Sequence, residues 1–418
     1  NMVLEINIYQ SLFDHYLQCD IAISDALNLN NSIKGDEDKS IPGGFNGGEV
    51  LIISYRERTD ASMDSEIPVK KHMFGIYETS DRSRINENTE SYIISGISLE
   101  AYQTMPQTIN KVYGRGPGNT ITNMMKSIIN EYVYTDVMRD QYRVAKIYKS
   151  VEVDDTSGLQ KYIIPSLSVD ETIDFLANEA DSEDHYPYYI FYEDSSGFKF
   201  KNVSSLIDNA SLDFTYTHFM SNITESNTED GVKYDDQYKI ISYSIVKDNN
   251  ILKNVSGGLF KSKTINLDIL KKKTNAVVFD YEKESDKFTT VGNGKFNVEV
   301  NGTPIVNLTT SRTNHDSDVL FQKETPLPKK LNTFFSRKGS YQKQLFNKVI
   351  EISIPGNSTI NVGGVIDLEF YIHNDIGTDK GQLDKLLSGS YLITKVRQKI
   401  TDDVFTTLLE CSKGNNLL

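Results

Sequence analysis

The sequence predicts a mainly β protein with an α+β portion: two similar small antiparallel β-barrels, an inserted helix-containing domain and a loop-rich insertion. Three observations carry this. Short period-2 runs crowd both ends of the chain, as in VIEISIPGNSTINVGGVIDLEFY (Val349–Tyr371) and VLEINIY (Val3–Tyr9). Such alternation marks strands with one buried face. The two ends also echo each other: Val3–Tyr9 resembles Val349–Ile354, and Gly47–Tyr55 resembles Gly363–Tyr371. Between them the apolar spacing changes to steps of three and four, the period of amphipathic helices.

In order, strands are expected at Val3–Tyr9, Tyr16–Ser24, Val50–Tyr55, Met73–Thr79 and Ser91–Ser98, with polar loops at Asn30–Gly48 and after Tyr55 and a long connector at Asp81–Asn88. Residues 1–98 thus read as the first β-barrel domain. Leu99–Tyr113 is rich in helix formers, and Pro106 should kink or split it. Ile121, Met124, Met125, Ile128, Ile129, Tyr132 and Val133 make one apolar face, with Asn119 or Thr120 as cap. Ser168 and Glu171 form a capping box ahead of a third helix, with Val169, Ile173, Leu176, Ala177 and Ala180 as its stripe. Tyr188–Tyr192 and Phe198–Phe200 read as a hairpin. Residues 99–235 are therefore taken as a mixed α+β domain.

Asp236–Asn254 fits a helix or a strand, Leu259–Asp280 reads as strands, and Ser340–Phe346 as one helical turn or two. Residues 236–280 and 337–418 make up the second β-barrel domain, and 281–336, rich in Thr, Asn and Lys, the loop-rich insertion. At the C-terminus, Ile350, Ile352 and Ile354 alternate with polar residues up to Pro355-Gly356, and Ile366, Leu368 and Phe370 follow Gly363-Gly364. Tyr391–Ile400 and Val404–Cys411 then pair across Thr401-Asp402-Asp403.

The 418 residues leave room for two to four domains. The composition, 38% hydrophobic and 24% charged, is that of a soluble globular chain. No apolar run approaches the roughly 20 residues of a membrane helix, so no membrane insertion is expected. NMVLEINIYQ has no basic segment before an apolar core and is not read as a secretory signal. Asn1 reads as an addition ahead of the natural start, Met2. The net charge of −14 argues against a nucleic-acid-gripping surface. Lys271–Lys273 is expected in a solvated turn or helix end, and Cys19 and Cys411 as buried apolar residues in strands.

Catalytic signals are weak. The histidines His15, His72, His185, His218, His315 and His373 are scattered without a metal-ligand spacing. Gly114–Asn119 precedes a helix but lacks the Lys-Ser/Thr of a phosphate loop. Glu179, Asp181, Glu183, Asp184 and His185 concentrate acid at a helix end without the spacing of a Ca²⁺ loop, and Asp154-Asp155 and Asp36–Asp38 read as loop charge. With 24 Tyr and no Trp, sugar-stacking platforms are not favoured. No catalytic, cofactor-binding or metal residue is assigned, and the chain reads as a multidomain structural or interaction protein, not an enzyme.

Four stretches, in order, resemble the central baseplate hub proteins of contractile-tailed bacteriophages: Val3–Ile33 with GGEVLIISY after it, Phe74–Tyr102, Leu159–Ala180, and Val349–Tyr371 with LSGSYLITKVRQKITDDVFTTLLE. They span most of the chain. The polar loop Lys34–Gly48 and the 281–336 insertion depart from the pattern and put local loops in question more than the fold. The resemblance implies a homotrimer whose paired barrels make a ring of six, joining a hexameric tail-tube protein to a trimeric spike protein among other baseplate proteins. It implies a place in the virion's tail baseplate after synthesis in the host cytoplasm, with DNA passing through the lumen without specific binding. The hub of a contractile injection machine that is not a phage shares this architecture. The rival functions are a host receptor- or glycan-binding tail module and a tail-associated cell-wall hydrolase using Glu179 or Asp184.

Overall fold

Alternating residues place the first strands where the sequence puts them: β1 (Val3–Ser11), β2 (Gln18–Asp25), β3 (Val50–Tyr55), β4 (Lys70–Asn86) and β5 (Thr89–Ser98). The computed structural model describes residues 2–27, 45, 47–56, 69–114, 118–158, 162–182, 188–210, 214–218, 238–268, 272–284, 302–310, 327–371, 383–402 and 404–414. Most of the Asn30–Gly48 loop lies outside them. Ile8, Cys19, Ile21, Ile53, Phe74 and Ile94 are among the residues of the first unit's core. The stretch Asp81–Asn88 is not a connector: β4 runs through it to Asn86 and turns tightly into β5, with Arg84 opposite Glu90. A mostly polar ribbon with neither face buried has no hydrophobic period to announce it.

Pro106 ends α1 (Leu99–Thr104) and the chain resumes as strand β6 (Thr108–Tyr113), not as a second helical half. The Thr120 side chain accepts the Asn123 N–H and starts α2 (Ile121–Ile128), which continues as a π turn over Ile129–Val133. Its expected stripe is buried from Ile121 to Val133, except for half-buried Tyr132. A short helix with no signal follows, α3 (Asp136–Val144), because Tyr142 is its one buried residue and makes no stripe. Next come β7 (Ser150–Val153), β8 (Tyr162–Ser168) and α4 (Val169–Glu179), whose capping box forms as expected. β9 (Tyr189–Asp194) and β10 (Gly197–Asn202) form the hairpin, with β7 parallel to β10. Gly197 has φ +137°, and a Cβ there would lie 2.1 Å from the Ser150 carbonyl oxygen, so only glycine lets β7 and β10 meet. α5 (Val203–Asp208) closes this part.

β11 (Thr215–His218) precedes the ambiguous Asp236–Asn254 region, whose middle is strand, β12 (Ser242–Lys247), and whose last residues open a helix, α6 (Ile251–Ser256). β13 (Lys261–Asp268) pairs with β14 (Lys273–Asp280) and, in parallel, with β15 (Ile305–Thr310). α7 (Tyr281–Glu284), β15 and the start of α8 (Leu327–Leu345) fall in the stretch expected to be loops, and the one or two helical turns expected over Ser340–Phe346 are the end of that 19-residue helix. The chain ends in β16 (Lys348–Pro355), β17 (Val365–Phe370), β18 (Gly389–Thr401) and β19 (Phe405–Lys413).

The terminal strands share one eleven-stranded sheet, in the order β12-β16-β19-β18-β1-β2-β5-β4-β3, with β17 on β18 and β11 on β17. The architecture is mainly β with an α+β part, but no sheet closes into a barrel among the described residues. A closed barrel needs the outer strands of one unit to meet. Here the second edge of β1 is taken by β18 instead.

Within that sheet a five-strand unit occurs twice. Numbered along the chain, β1 to β5 lie in the order 1-2-5-4-3, and β12, β16, β17, β18 and β19 lie in the same order, all antiparallel. Both units carry a bulge at one place: between Ile76 and Glu78 in β4, and between Ile393 and Lys395 in β18. The bulge fixes the register. β16 therefore holds the place of β2, and Ile350, Ile352 and Ile354 correspond to Cys19, Ile21 and Ile23. This corrects the expected match of Leu4, Ile6 and Ile8 with those isoleucines. β1 corresponds to β12 instead, Ile6 to Tyr243 and Ile8 to Ile245. The β3–β17 echo holds in position, with Val50 matching Val365, one residue from the alignment of the glycine pairs. Amphipathic strands resemble one another, and pairing alone identifies which is which.

Candidate functional site

The repeat exposes two strand edges. Inside the chain, β1 and β18 join the two units over Glu5↔Thr401 to Ser11↔Lys395. Arg397 Nε donates to the Asn7 carboxamide oxygen (2.9 Å), and Lys399 pairs with Glu5 (3.0 Å). The corresponding elements β12 and β4 meet no such partner among the described residues. β12 pairs with β16 along one edge, and all six of its residues are exposed. β4 takes β3 along Lys70–Gly75, Ile76 still bonds to Gly48 and Glu49, and from Tyr77 onward that edge has no strand partner among the described residues. Ile8 is fully buried, whereas its counterpart Ile245 is 41% exposed. Tyr243 packs edge-on to His218 and Phe370, each at 4.9 Å.

A second constellation lies where the first unit meets the helices. Lys149 Nζ sits 2.8 Å from Glu100 Oε1, 2.6 Å from Glu193 Oε1 and 2.8 Å from the Tyr142 hydroxyl, with Glu100 and Glu193 fully buried. Glu193 Oε2 accepts the Leu17 N–H (3.0 Å) and the Ser98 hydroxyl (2.6 Å). Burial, with Glu100 nearby, raises the Glu193 carboxyl above its usual range. Burial also opposes the Lys149 charge, but the two carboxylates outweigh it and hold the ammonium protonated. The group ties β2, β5, α1, α3 and β9 together. Sequence reading missed it because its members lie far apart and carry no motif. Nearly sealed from solvent, it clamps these elements together.

Three histidines fall among the described residues. His15 bonds to Asp174 (3.0 Å) and faces Asp170 (3.5 Å), one turn apart on α4. Burial pulls its pKa down, but these carboxylates raise it to about 9. Burial, then Lys149 and Lys70, lowers His72 to about 4, so it is neutral beside Tyr55. His218 also has a lowered pKa, from burial and Lys239. His185, His315 and His373 lie outside the described residues, as do Glu183, Asp184 and Asp36–Asp38. Glu179 accepts from the Tyr162 hydroxyl at 3.4 Å, and the Asp181 carbonyl accepts the Ser157 N–H. Of the glycine loop, Gly114 and Gly118–Asn119 are described, and Gly118 takes φ +98°. Lys272 is exposed in the β13–β14 turn, where a solvated turn was expected. Cys19 and Cys411 are buried and free, as expected, and burial pushes the Cys19 thiol up to about 12. No group of metal ligands occurs among the described residues, and no helix is long and apolar enough to cross a membrane.

Similarity to known proteins is confined to structure. No family model matches the chain, and no curated protein matches its sequence. The chain is similar to the 43 kDa tail protein of prophage MuSo2 from Shewanella oneidensis, with TM-score 0.50, 10% identity and coverage of 98% of this chain and 94% of that one. It is equally similar to the tail protein from Neisseria meningitidis MC58, with TM-score 0.51, 9% identity and coverage of 99% and 92%. The likeness is one of fold, and it runs end to end.

Proposed function

We propose that this chain is a structural component of a contractile tail baseplate, a trimeric hub that joins a sixfold tail tube to a threefold spike. The observation that carries the reading is the repeated unit. Three chains with two equivalent units each present six similar faces to a sixfold partner and three identical faces to a threefold one. Full-length likeness in fold to phage tail proteins supports it. The partners are then the tube protein, the spike protein and neighbouring baseplate proteins, and the location is the virion tail. The acidic balance of −14 suits the wall of a conduit past which DNA slides without adhering.

The role is mechanical and not catalytic: the hub positions the spike, transmits sheath contraction and leaves an open path once the spike departs. Burial of the Lys149–Glu100–Glu193 group fits this, since these paired charges serve packing.

Light scattering across a concentration range, with negative-stain images of the same sample, tests the proposal. A trimeric ring with a central hole is the expected result. A compact monomer at every concentration, alone and co-expressed with the spike protein, overturns it. Lysis of purified cell walls by the protein, lost in Glu179→Gln or Asp184→Asn, would establish the hydrolase reading instead.

A further inference from the structure

A third strand edge is open among the described residues, and the second unit holds the strand that would cover it. β3 ends the path of the large sheet: it pairs with β4 and takes no backbone bond on its outer side. Its counterpart β17 is covered there. β11 lies parallel along it, from Thr215 opposite Asp367 to His218 opposite Phe370. β11 also reaches the residues leading into β12, where the Ile240 N–H donates to the Thr217 carbonyl (2.9 Å). It therefore fills the gap between the third and first strands of the second unit. In the first unit that gap holds no strand among the described residues. Tyr55 reaches across it, its hydroxyl donating to Gln398 on the β18 flank of β1 and its ring meeting Phe405 edge-on.

We propose that β3 is a strand-addition site: its outer edge takes an extended segment of a different polypeptide, parallel to β3, in the place that β11 takes on β17. This stands apart from the hub reading and does not depend on the number of copies.

Exposure follows the difference. Val50 is 55% accessible and its counterpart Val365 6%, while Leu51 and Tyr55 are half-buried where Ile366 and Phe370 are buried. β3 is nonetheless the more apolar strand, with Ile52 and Ser54 in the places of Asp367 and Glu369. An edge strand is ordinarily guarded by charge, proline, a bulge or a cover. VLIISY has no charge and no proline, and it pairs with β4 without a bulge.

The matched register also defines the guest. Backbone bonds along an added strand hold it, and alternate side chains select it. The residue in the place of Thr215 falls beside Ile52, that of Tyr216 beside Ile53, and that of Thr217 beside Ser54. Tyr216 is fully buried, so its equivalent enters the first unit beside Ile53 and is aromatic or aliphatic. The Thr217 hydroxyl donates to Glu369 (3.2 Å), and a Ser or Thr serves equally beside Ser54. Beside Ile52 a β-branched apolar residue fits in place of Thr215. In a second copy of this chain β11 is already held on β17, which leaves the role to another protein.

The test is disulfide tethering of a synthetic peptide to the full chain carrying Ser54→Cys. The peptide has the sequence of residues 213–219 with Thr215→Val and Thr217→Cys, and the mixed disulfide formed in glutathione buffer is read by intact mass. The native thiols of Cys19 and Cys411 are buried and leave the background clean. The peptide should be trapped about tenfold more than a scrambled form that keeps the cysteine in place. Ile52→Lys in the same chain should remove the difference with an unchanged circular dichroism spectrum, and Glu369→Cys, on the covered strand, should show none. Trapping no better than the scrambled form overturns strand addition, and preference for the reversed sequence overturns the parallel direction. Light scattering of Ile52→Lys should give the wild-type mass. A lower mass means that a second copy fills the edge and overturns the assignment to a different polypeptide.

Discussion

The first and second β units share strand order, antiparallel pairing and a bulge, yet their leading strands live in different surroundings. β1 is covered on both edges and Ile8 is buried, whereas β12 is covered on one edge and Ile245 is 41% exposed. The same position in a fold thus gives a core residue in one copy and a surface residue in the other. What differs is the neighbour: the first unit borrows β18 from the second, and the second borrows nothing among the described residues. Surface and core here are properties of the assembly as much as of the strand.

The comparison can be broken most forcefully at a buried charge. Ser98, at the end of β5, corresponds to Lys413 at the end of β19. Ser98 serves the paired cluster of Lys149, whereas Lys413 donates to the Ser388 carbonyl, and burial lowers its pKa to about 8. Lys149→Met leaves Glu100 and Glu193 buried without their counter-charge and should cost about 3–5 kcal/mol. Lys413→Met relieves a charge that burial already opposes and should shift stability by less than about 1 kcal/mol. Urea midpoints of the two variants decide it, and equal losses would mean that the two positions are held alike.

A smaller effect separates the leading strands. Ile8→Ala opens a cavity at the joint and should cost about 2–5 kcal/mol. Ile245→Ala, on an open strand, should leave the stability of the isolated chain within about 0.5 kcal/mol. Measuring both in dilute protein keeps association out of the result, and a large loss from Ile245→Ala would show that β12 is covered from within.

The smallest effect concerns the connection from first to second strand, which in the first unit carries His15 and in the second is replaced by everything between β12 and β16. Burial lowers the His15 pKa, and hydrogen bonds to Asp170 and Asp174 outweigh it, giving about 9 against an ordinary 6.5. A raised folded-state value means that the contribution is complete below pH 6.5 and disappears as pH rises through about 9. With Asp174 largely exposed, this should be on the order of 2 kcal/mol. Unfolding midpoints should therefore fall between pH 6.5 and 9 in the wild type and stay flatter in His15→Asn. A parallel fall in both would place the titrating group elsewhere.

Much of this was legible beforehand. Val50–Tyr55 as a strand, a cap at Asn119 or Thr120, of which Thr120 serves, and the Ser168/Glu171 box stand as read, because each signal is local: alternation, one side-chain oxygen, one reciprocal bond. Resemblance of the ends pointed to a duplication, but β1 was matched with β16 where β12 belongs, since alternating isoleucines say that a strand exists and not which strand lies beside it. β4 beyond Asp81 was missed because a ribbon wet on both faces has no period, and α3 because one buried tyrosine makes no stripe.

Elements whose cause is short-range, the balance of charge and the echo between the two ends could all be read along the chain. Long-range packing settled which strands are neighbours, that Glu100, Lys149 and Glu193 share one buried site, and that two edges have no partner among the described residues. Pairing and burial are set by residues far apart in the chain, and local spacing cannot encode a contact whose partner lies hundreds of residues away or in another copy.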